Sequence, residues 1–232
     1  MDLESETLPV SDLTDSLIGE MLGLMQAHYE GVEEEQFRAD LRAKQWAILL
    51  RTGGRLCGFS TQVCFPHSVL GQSVRILFSG DTIIEKDCWG SLALPLAWGR
   101  LMLRIIAEQP ETKLYWLLTS KGYKTYRFLP VFFREFYPCF SVPLPPFEQA
   151  LRQSAATLMF GKRFDPETGI LRASEGAQRL RPGVADLESR RLRDPHIAFF
   201  QQMNSGHAHG DELVCLALIH PANLSPFVRR QL

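Results

Sequence analysis

The sequence predicts an α/β (α+β) protein in which a mixed, mostly antiparallel twisted sheet is flanked by helices and followed by a C-terminal extension. Short apolar runs supply the strands, because they have the length and residue content that strands favour. Apolar residues that recur every three or four positions supply the helices. The predicted strands are 46–50, 56–65, 74–84, 114–119 and 213–219.

The length of 232 residues suits one domain with an appended lobe. We place a core domain at 1–138 and an extension at 139–232, because the composition changes after Pro138 to a proline-rich and then arginine-rich chain. The formal net charge of -1 gives no general attraction for nucleic acid or for an anionic membrane, so neither partner is expected. The apolar stretch 92–106 contains two arginines and is too short to span a bilayer.

Cysteine usage points to a reducing compartment. The five cysteines are an odd number with no C-x-x-C spacing, which disfavours a disulfide framework and a structural zinc site. The acidic first residues lack the basic and apolar parts of a secretory signal. We therefore expect a cytoplasmic protein with free thiols.

Two helices should open the chain. Apolar residues recur at helical spacing over 11–25, and the Ser11 hydroxyl can cap the first amides of that helix. Three glutamates at 33–35 begin the second helix, where acidic side chains meet the positive end of the helix dipole. This helix should end near Gln45.

Three strands should follow, joined by short connections. The Gly53–Gly54 pair permits the positive φ that a tight hairpin needs. Gly58 predicts either a bulge or a close backbone approach within the second strand. A loop containing Pro66 and His67 should lead to the third strand, where the interruption at Ser79–Gly80 predicts a bulge.

A buried helix over 91–108 should connect the third strand to the strand 114–119, with Pro95 tolerated in the first helical turn. Residues 121–135 should form a helix that Pro130 breaks.

The extension should begin with an amphipathic helix over 147–160. Its arginine-rich continuation up to Asp194 has mixed charges, which is typical of a solvated surface. The strand 213–219 should return to the main sheet.

The region 75–138 carries the features that point to a function. A bulge at Ser79–Gly80 would splay that strand from the strand 114–119 and free backbone groups for an amide-bearing cofactor arm such as pantetheine. The helix that begins at Ser91 presents unpaired amides, which suit a pyrophosphate. In the order and spacing of these elements, the chain resembles the GNAT superfamily, the Gcn5-related N-acetyltransferases, over residues 12–138.

This resemblance implies an N-acyltransferase that moves an acyl group from acetyl-CoA, or another acyl-CoA, to a small-molecule amine by direct attack. The donor contacts that it implies come from a strand, a pyrophosphate loop and one later residue: Thr82, Ile83, Ile84, Trp89, Gly90, Ser91, Leu92 and Ser120. Trp89 stands where the family usually has a basic residue or glutamine, and Leu92 stands at its second glycine. An acyl-phosphopantetheine on an acyl-carrier protein therefore stays open as the donor.

The resemblance also implies the catalytic groups. A tyrosine that follows the fifth strand of the family protonates the leaving thiolate, and Tyr126 follows Thr119 at the matching interval. Tyr123 is the second candidate, and for either tyrosine the alternative is a packing role with one polar tip. Asp81, just past the bulge, matches the carboxylate that takes the proton from the amine; the alternative is that it satisfies local backbone amides.

Other side chains allow further hypotheses. His207 and His209 with Asp211 provide too few ligands for a recognisable metal site, so a surface loop is favoured and no metal is expected. Cys88, which precedes a helix, is either a nucleophile with a depressed pKa or a buried structural thiol.

The alternative to an enzyme is a non-catalytic GNAT-fold module that binds a ligand or a protein through the same cleft. A homodimer is compatible with both functions. The length of the extension motivates one more hypothesis, in which this lobe selects an acceptor larger than a free amine.

Overall fold

The computed structural model describes residues 3–174, 178–181 and 189–230. It contains a large, mostly antiparallel sheet flanked by helices, which confirms the predicted fold class. The strands in these ranges are β1 Leu3–Pro9, β2 Tyr29–Glu30, β3 Trp46–Thr52, β4 Arg55–Val69, β5 Gln72–Ile84, β6 Leu114–Ser120, β7 Phe164–Asp165, β8 Ile170–Leu171, β9 Arg179–Leu180 and β10 Glu212–Ile219. The α-helices are α1 Asp15–His28, α2 Glu34–Arg42, α3 Ala93–Glu108, α4 Tyr123–Tyr126, α5 Phe128–Phe132, α6 Pro146–Phe160, α7 Pro195–Met203 and α8 Pro226–Arg229.

The chain divides into two compact units. The first comprises the segments up to Cys64 and Leu77–Glu111, and the second comprises Phe65–Ile76 and the residues from Thr112 onward. Strands β4 and β5 therefore each run through both units. Pro138 lies within the second unit, and the predicted division into a core and an extension stays a prediction.

The first unit contains the strand order β1-β3-β4-β5. β3 is antiparallel to both β1 and β4. Ala47 and Leu49 of β3 pack with apolar side chains of α1 and α2. Trp46 points to the opposite face, because side chains alternate along a strand, and the guanidinium of Arg104 on α3 lies 5.6 Å from its ring. Helices α1 and α2 thus cover one face of this part of the sheet, and α3 covers the other.

The second unit contains the strand order β5-β6-β10-β8-β7. β5 meets β6 near its beginning, where the Arg75 N–H donates to the carbonyl of Lys113 at 2.8 Å. β10 runs antiparallel to β6, with Leu216 opposite Leu117. This pairing confirms that the predicted strand at 213–219 returns to the sheet.

The start of the chain differs from the prediction. β1 is a strand that the predicted order omits; most of its side chains are half-buried or exposed and it pairs only with β3, so its composition carries little strand signal. Thr14, and not Ser11, caps α1, since its Oγ1 accepts the Leu17 N–H at 3.3 Å. Ser11 lies in a short 3-10 turn before the helix.

The turn between β4 and β5 and the helical segment after β6 also differ from the prediction. Pro66 and His67 lie within β4, not in the predicted loop, and the chain turns instead at Leu70–Gly71, where both residues have positive φ. The helix predicted over 121–135 is divided into the short helices α4 and α5, but the break lies at Arg127, and Pro130 lies within α5 instead of marking the break.

Part of the arginine-rich stretch, residues 175–177 and 182–188, lies outside the described residues. Among the residues that the structure describes, no helix combines the length and the hydropathy that crossing a membrane requires.

Candidate functional site

The register of the β4–β5 hairpin can be read from its side-chain contacts. Across the turn at Leu70–Gly71, the hydroxyls of Ser68 and Ser73 lie 3.4 Å apart. Six residues further along each strand, the Ser79 hydroxyl donates to Gln62 Oε1 at 2.6 Å. The two contacts share one register, so the hairpin is regular between them.

Beyond Ser79 this register changes. Ser60 and Gln62 are two residues apart on β4 and therefore share a face. Their partners Thr82 and Ser79 are three residues apart on β5, which a regular strand would place on opposite faces. β5 must therefore contain one extra residue between its two contacts. This is a β-bulge at Gly80–Asp81, and it confirms the interruption predicted at this point.

The shifted register continues to the end of β5. The Glu85 N–H donates to the carbonyl of Cys57 at 2.9 Å. The register at the Leu70–Gly71 turn would place Ile84 opposite Cys57, so the pairing here is shifted by one residue. Gly58 faces the end of β5 so closely that a Cβ there would lie 2.7 Å from the Ile83 carbonyl oxygen. β4 has its own register shift against β3 at this point, between Leu50 and Arg51. Gly58 thus accompanies both a bulge and a close approach, the two alternatives that the sequence left open.

Polar side chains form a chain of hydrogen bonds across the bulge. The Gln62 amide accepts from Ser79, as above, and donates to Ser60 Oγ at 2.8 Å. Ser60 Oγ lies 2.7 Å from Thr82 Oγ1. Ser60, Gln62 and Ser79 are buried, so these bonds replace the solvation that the groups lose. Ser60 and Gln62 were not among the predicted site residues. Their signal in the sequence is a polar residue at alternate positions of an otherwise apolar strand.

The bulge places Asp81 on a rigid strand, and its side chain is half-buried. A Cβ on neighbouring Gly80 would lie 2.6 Å from Thr61 Oγ1 and 2.7 Å from Lys44 Cε, so any other residue there would force both side chains to move. The Lys44 ammonium donates to the Asp40 carbonyl and lies 6.0 Å from the Phe78 ring. The role of Asp81 as a base stays a prediction.

The predicted pyrophosphate loop connects β5 to α3. The Trp89 indole N–H donates to the Ile84 carbonyl at 2.8 Å, while its ring remains 41% exposed. Gly90 has φ 85°, which glycine adopts without strain. The Ser91 hydroxyl accepts the Ala93 N–H at 3.1 Å, and Leu92, next to it, is 37% exposed. The loop therefore presents an apolar surface beside the amino end of a 16-residue helix.

An ion pair holds the beginning of this loop. The Nη1 and Nη2 atoms of Arg55 donate to Oε1 and Oε2 of Glu85, at 2.7 and 2.6 Å. These hydrogen bonds lower the pKa of Glu85 below its ordinary value and raise that of Arg55. A bidentate pair of this kind fixes orientation as well as distance.

The two tyrosine candidates differ in their surroundings. Tyr126 is fully buried, and its hydroxyl donates to the Pro138 carbonyl at 3.0 Å. Burial raises its pKa. Its ring packs against the rings of Phe136 and Phe200, with centroids 6.0 and 5.6 Å away. Tyr123 is 8% exposed, and no hydrogen bond joins its hydroxyl to the part of the chain that the structure describes.

Ser120 ends β6, and its hydroxyl donates to the Gly122 carbonyl at 2.8 Å. The buried Asn204 amide donates to the Ser120 carbonyl at 3.3 Å and to the Asp211 carbonyl at 2.8 Å. Ser120 and both tyrosines belong to the second unit, whereas Asp81 and the pyrophosphate loop belong to the first.

The other predicted residues have structural partners. Asp211 accepts hydrogen bonds from the Arg172 guanidinium and the Ala173 N–H, both at 2.9 Å. The His207 ring packs 5.8 Å from Phe200. Within residues 3–174, 178–181 and 189–230, no group of three or more His, Cys, Asp or Glu side chains could hold a metal. Cys88 is buried.

Neither a protein-family model nor a curated protein matches the sequence. Among solved structures, the chain is similar to a probable N-acyltransferase from Enterococcus faecalis V583, with 13% identity, a TM-score of 0.45 and coverage of 59% of this chain and 33% of that one. It is also similar to ElaA from Escherichia coli, at 16% identity and TM-score 0.38, covering 60% of this chain and 95% of that one.

A third similar structure is a GNAT-family N-acetyltransferase, YhbS from Escherichia coli, in complex with CoA, at 12% identity and TM-score 0.36. That match covers 52% of this chain and 65% of the other. The chain thus spans only one third of the length of the Enterococcus protein.

Proposed function

We propose that this chain is a GNAT-type N-acyltransferase, which moves an acyl group from an acyl-thioester donor to an amine. The observation that carries this proposal is the bulge at Gly80–Asp81 in β5. A bulge interrupts the ladder of backbone hydrogen bonds and leaves backbone groups that need other partners. The amides of a pantetheine arm are suitable partners, and they would pair with the backbone of Thr82–Ile84.

The opposite end of the donor carries phosphates. The amino end of α3 supplies a positive dipole, and Gly90 lets the chain approach closely. In the first turn Pro95 has no N–H and the Ala93 N–H donates to Ser91 Oγ, so a phosphate would use the Leu94 N–H or displace the Ser91 hydroxyl. Trp89 and Leu92 add no positive charge, so the phosphate contacts would come from backbone amides. This favours a donor with few phosphates, and an acyl-phosphopantetheine on a carrier protein is therefore the alternative to acyl-CoA.

The chemistry would run in a ternary complex. The amine nitrogen attacks the thioester carbonyl, a C–N bond forms and the C–S bond breaks. Asp81 takes the proton from the amine, and a tyrosine protonates the departing thiolate. The hydroxyl proton of Tyr126 is committed to the Pro138 carbonyl, whereas the Tyr123 hydroxyl makes no hydrogen bond within the described residues. These contacts favour Tyr123 as the acid and a packing role for Tyr126.

Mass spectrometry of reactions between acyl donors and a panel of amines tests this proposal. The donors should include acetyl-CoA, longer acyl-CoAs and an acylated carrier protein. We expect an acyl-amine product with at least one donor, and Asp81→Asn should lower kcat by on the order of 10²-fold or more. Tyr123→Phe should lower kcat more than it raises KM, because the acid acts in the transition state. Absence of product for every donor would remove the enzymatic proposal.

The second candidate function is a non-catalytic module that binds a ligand through the same strand. The specific observation in its favour is Trp89, whose indole N–H is bound to the Ile84 carbonyl at the place of a phosphate-binding side chain. This function predicts that CoA raises the unfolding temperature in a concentration-dependent way while no donor is turned over.

A further inference from the structure

Two cysteines meet where β4 faces the beginning of the α3 loop. The Glu85 N–H donates to the Cys57 carbonyl at 2.9 Å, and the Cys88 N–H then donates to the Glu85 carbonyl at 2.9 Å. This tight turn brings Cys88 beside Cys57, and the two thiols interact. The Cys57 thiol also donates to the Leu50 carbonyl at 3.5 Å. The contact joins positions that are 31 residues apart in sequence.

The two thiols are not equivalent. Cys57 is fully buried, and burial together with the Cys88 thiol raises its pKa to about 12. Cys88 is 9% exposed, so it is the more accessible of the two residues. The positive charge of Arg55 opposes this rise in the pKa of Cys57, and the negative charge of Glu85 adds to it.

We propose that Cys57 and Cys88 form a reversible disulfide, and that Cys88 is the thiol that a peroxide oxidises first. Cys88 sulfur attacks the peroxide oxygen, the O–O bond breaks, water leaves and a sulfenic acid remains. The Cys57 sulfur then attacks the Cys88 sulfur, an S–S bond forms and a second water leaves. Two thiols are thereby oxidised by two electrons and one hydrogen peroxide is reduced to two waters.

The disulfide would close a ring that contains the turn at β4–β5, the bulge and the 3-10 turn before Trp89. A covalent link of this length removes conformations from the unfolded chain, so the oxidised protein should be the more stable form. It would also fix the loop that leads to α3 in the position described here. This inference stands on the two thiols alone and does not depend on acyl transfer.

Peptide mapping of the full chain tests the proposal. The reduced protein is treated with hydrogen peroxide, its remaining thiols are alkylated under denaturing conditions, and its peptides are separated without reduction. We expect one linked pair that contains Cys57 and Cys88, with Cys64, Cys139 and Cys215 alkylated. A dithiol reductant should reverse the link. Cys139→Ser is the matched control and should leave the linked pair unchanged.

A second measurement compares urea unfolding of the oxidised and reduced proteins. The midpoint should be higher for the oxidised wild type, and Cys88→Ser should show no such difference. The wild-type peptide map decides the question even if Cys88→Ser folds poorly. Recovery of Cys57 as an alkylated thiol, with Cys88 oxidised to a sulfinic acid or linked to another cysteine, would overturn the proposal.

Discussion

Ser60 Oγ lies 2.7 Å from Thr82 Oγ1. The register of the Gln62–Ser79 contact would instead place Asp81 opposite Ser60, so the pairing is displaced by one residue along β5. This displacement is the evidence for the bulge at Gly80–Asp81. The proposed donor site depends on it, because a regular strand would commit the same backbone groups to its neighbours.

The close approach at Gly58 should make this glycine hard to replace. A Cβ there would lie 2.7 Å from a backbone oxygen, that of Ile83, which cannot turn away as a flexible side chain could. We expect Gly58→Ala to lower the free energy of unfolding by about 1–3 kcal/mol in urea titrations. Gly19→Ala in α1 is the control, since no atom lies within 4 Å of its Cβ position. The control should be neutral or stabilising, by up to about 1 kcal/mol. Equal stability of the two variants would contradict the close approach.

The Gln62 amide bridges two hydroxyls in the interior of the sheet. Gln62→Met keeps the length of the side chain but removes two buried hydrogen bonds, the one from Ser79 and the one to Ser60. At about 0.5–1.5 kcal/mol for each bond, we expect a loss of about 1–3 kcal/mol of unfolding free energy. Gln36→Met serves as the control, because Gln36 bonds Asp40 on the exposed surface of α2. It should change stability by less than about 0.5 kcal/mol. A Gln62→Met variant as stable as this control would argue against the polar chain.

Tyr126 and Tyr123 should differ in their contribution to stability. Tyr126→Phe removes a buried hydrogen bond to the Pro138 carbonyl, so it should cost about 0.5–1.5 kcal/mol in chemical denaturation. Tyr123→Phe removes no bond within the described residues and should cost less than about 0.5 kcal/mol. The reverse order would mean that the phenol of Tyr123 is the one held by the fold.

Stability should fall as the pH drops below the ordinary histidine range. Burial, aided by the charge of Arg127, lowers the pKa of His196 from 6.5 in the folded protein. Between that lowered pKa and 6.5 the unfolded chain binds more protons than the folded one, so the free energy of unfolding decreases as the pH falls. Urea titrations from about pH 7.5 to about pH 5 should show this slope. His196→Gln should flatten it, and an unchanged slope would assign the effect to other groups.

The buried Arg152 guanidinium should cost stability. Its Nε has no partner in the described chain, its Nη1 lies at the long distance of 3.4 Å from the Val214 carbonyl, and burial lowers its pKa. Arg152→Met keeps most of the packing and removes the buried charge, so the unfolding free energy should rise by about 1 kcal/mol. Arg152→Ala is the comparison and should be less stable than Arg152→Met, because it leaves a cavity. Destabilisation by Arg152→Met would show that the guanidinium is better solvated than its contacts indicate.

Local signals in the sequence were sufficient for several elements. The Gly53–Gly54 pair does form a turn with positive φ, and Gly58 does mark an irregular, close-packed point of β4. The interruption at Ser79–Gly80 predicted the bulge because a glycine beside a polar residue in an apolar strand often marks a change in the ladder. These are features that neighbouring residues determine.

Features that depend on distant partners were not predictable. β1 has weak alternation and becomes a strand because β3 offers it an edge. The hydrogen bond of the Tyr126 hydroxyl requires the carbonyl of Pro138. The contact of Cys57 with Cys88 requires the shifted register between β4 and β5. No local pattern in the sequence encodes such pairings, because each joins segments that approach only after folding.

A crystal structure with a bound acyl-CoA or acyl-pantetheine tests the central claim most directly. The account predicts that pantetheine amides hydrogen-bond to the backbone of β5 just after Asp81, with the phosphate end at the first amides of α3. A donor bound away from β5, with the backbone of Thr82–Ile84 paired only to protein, would contradict it.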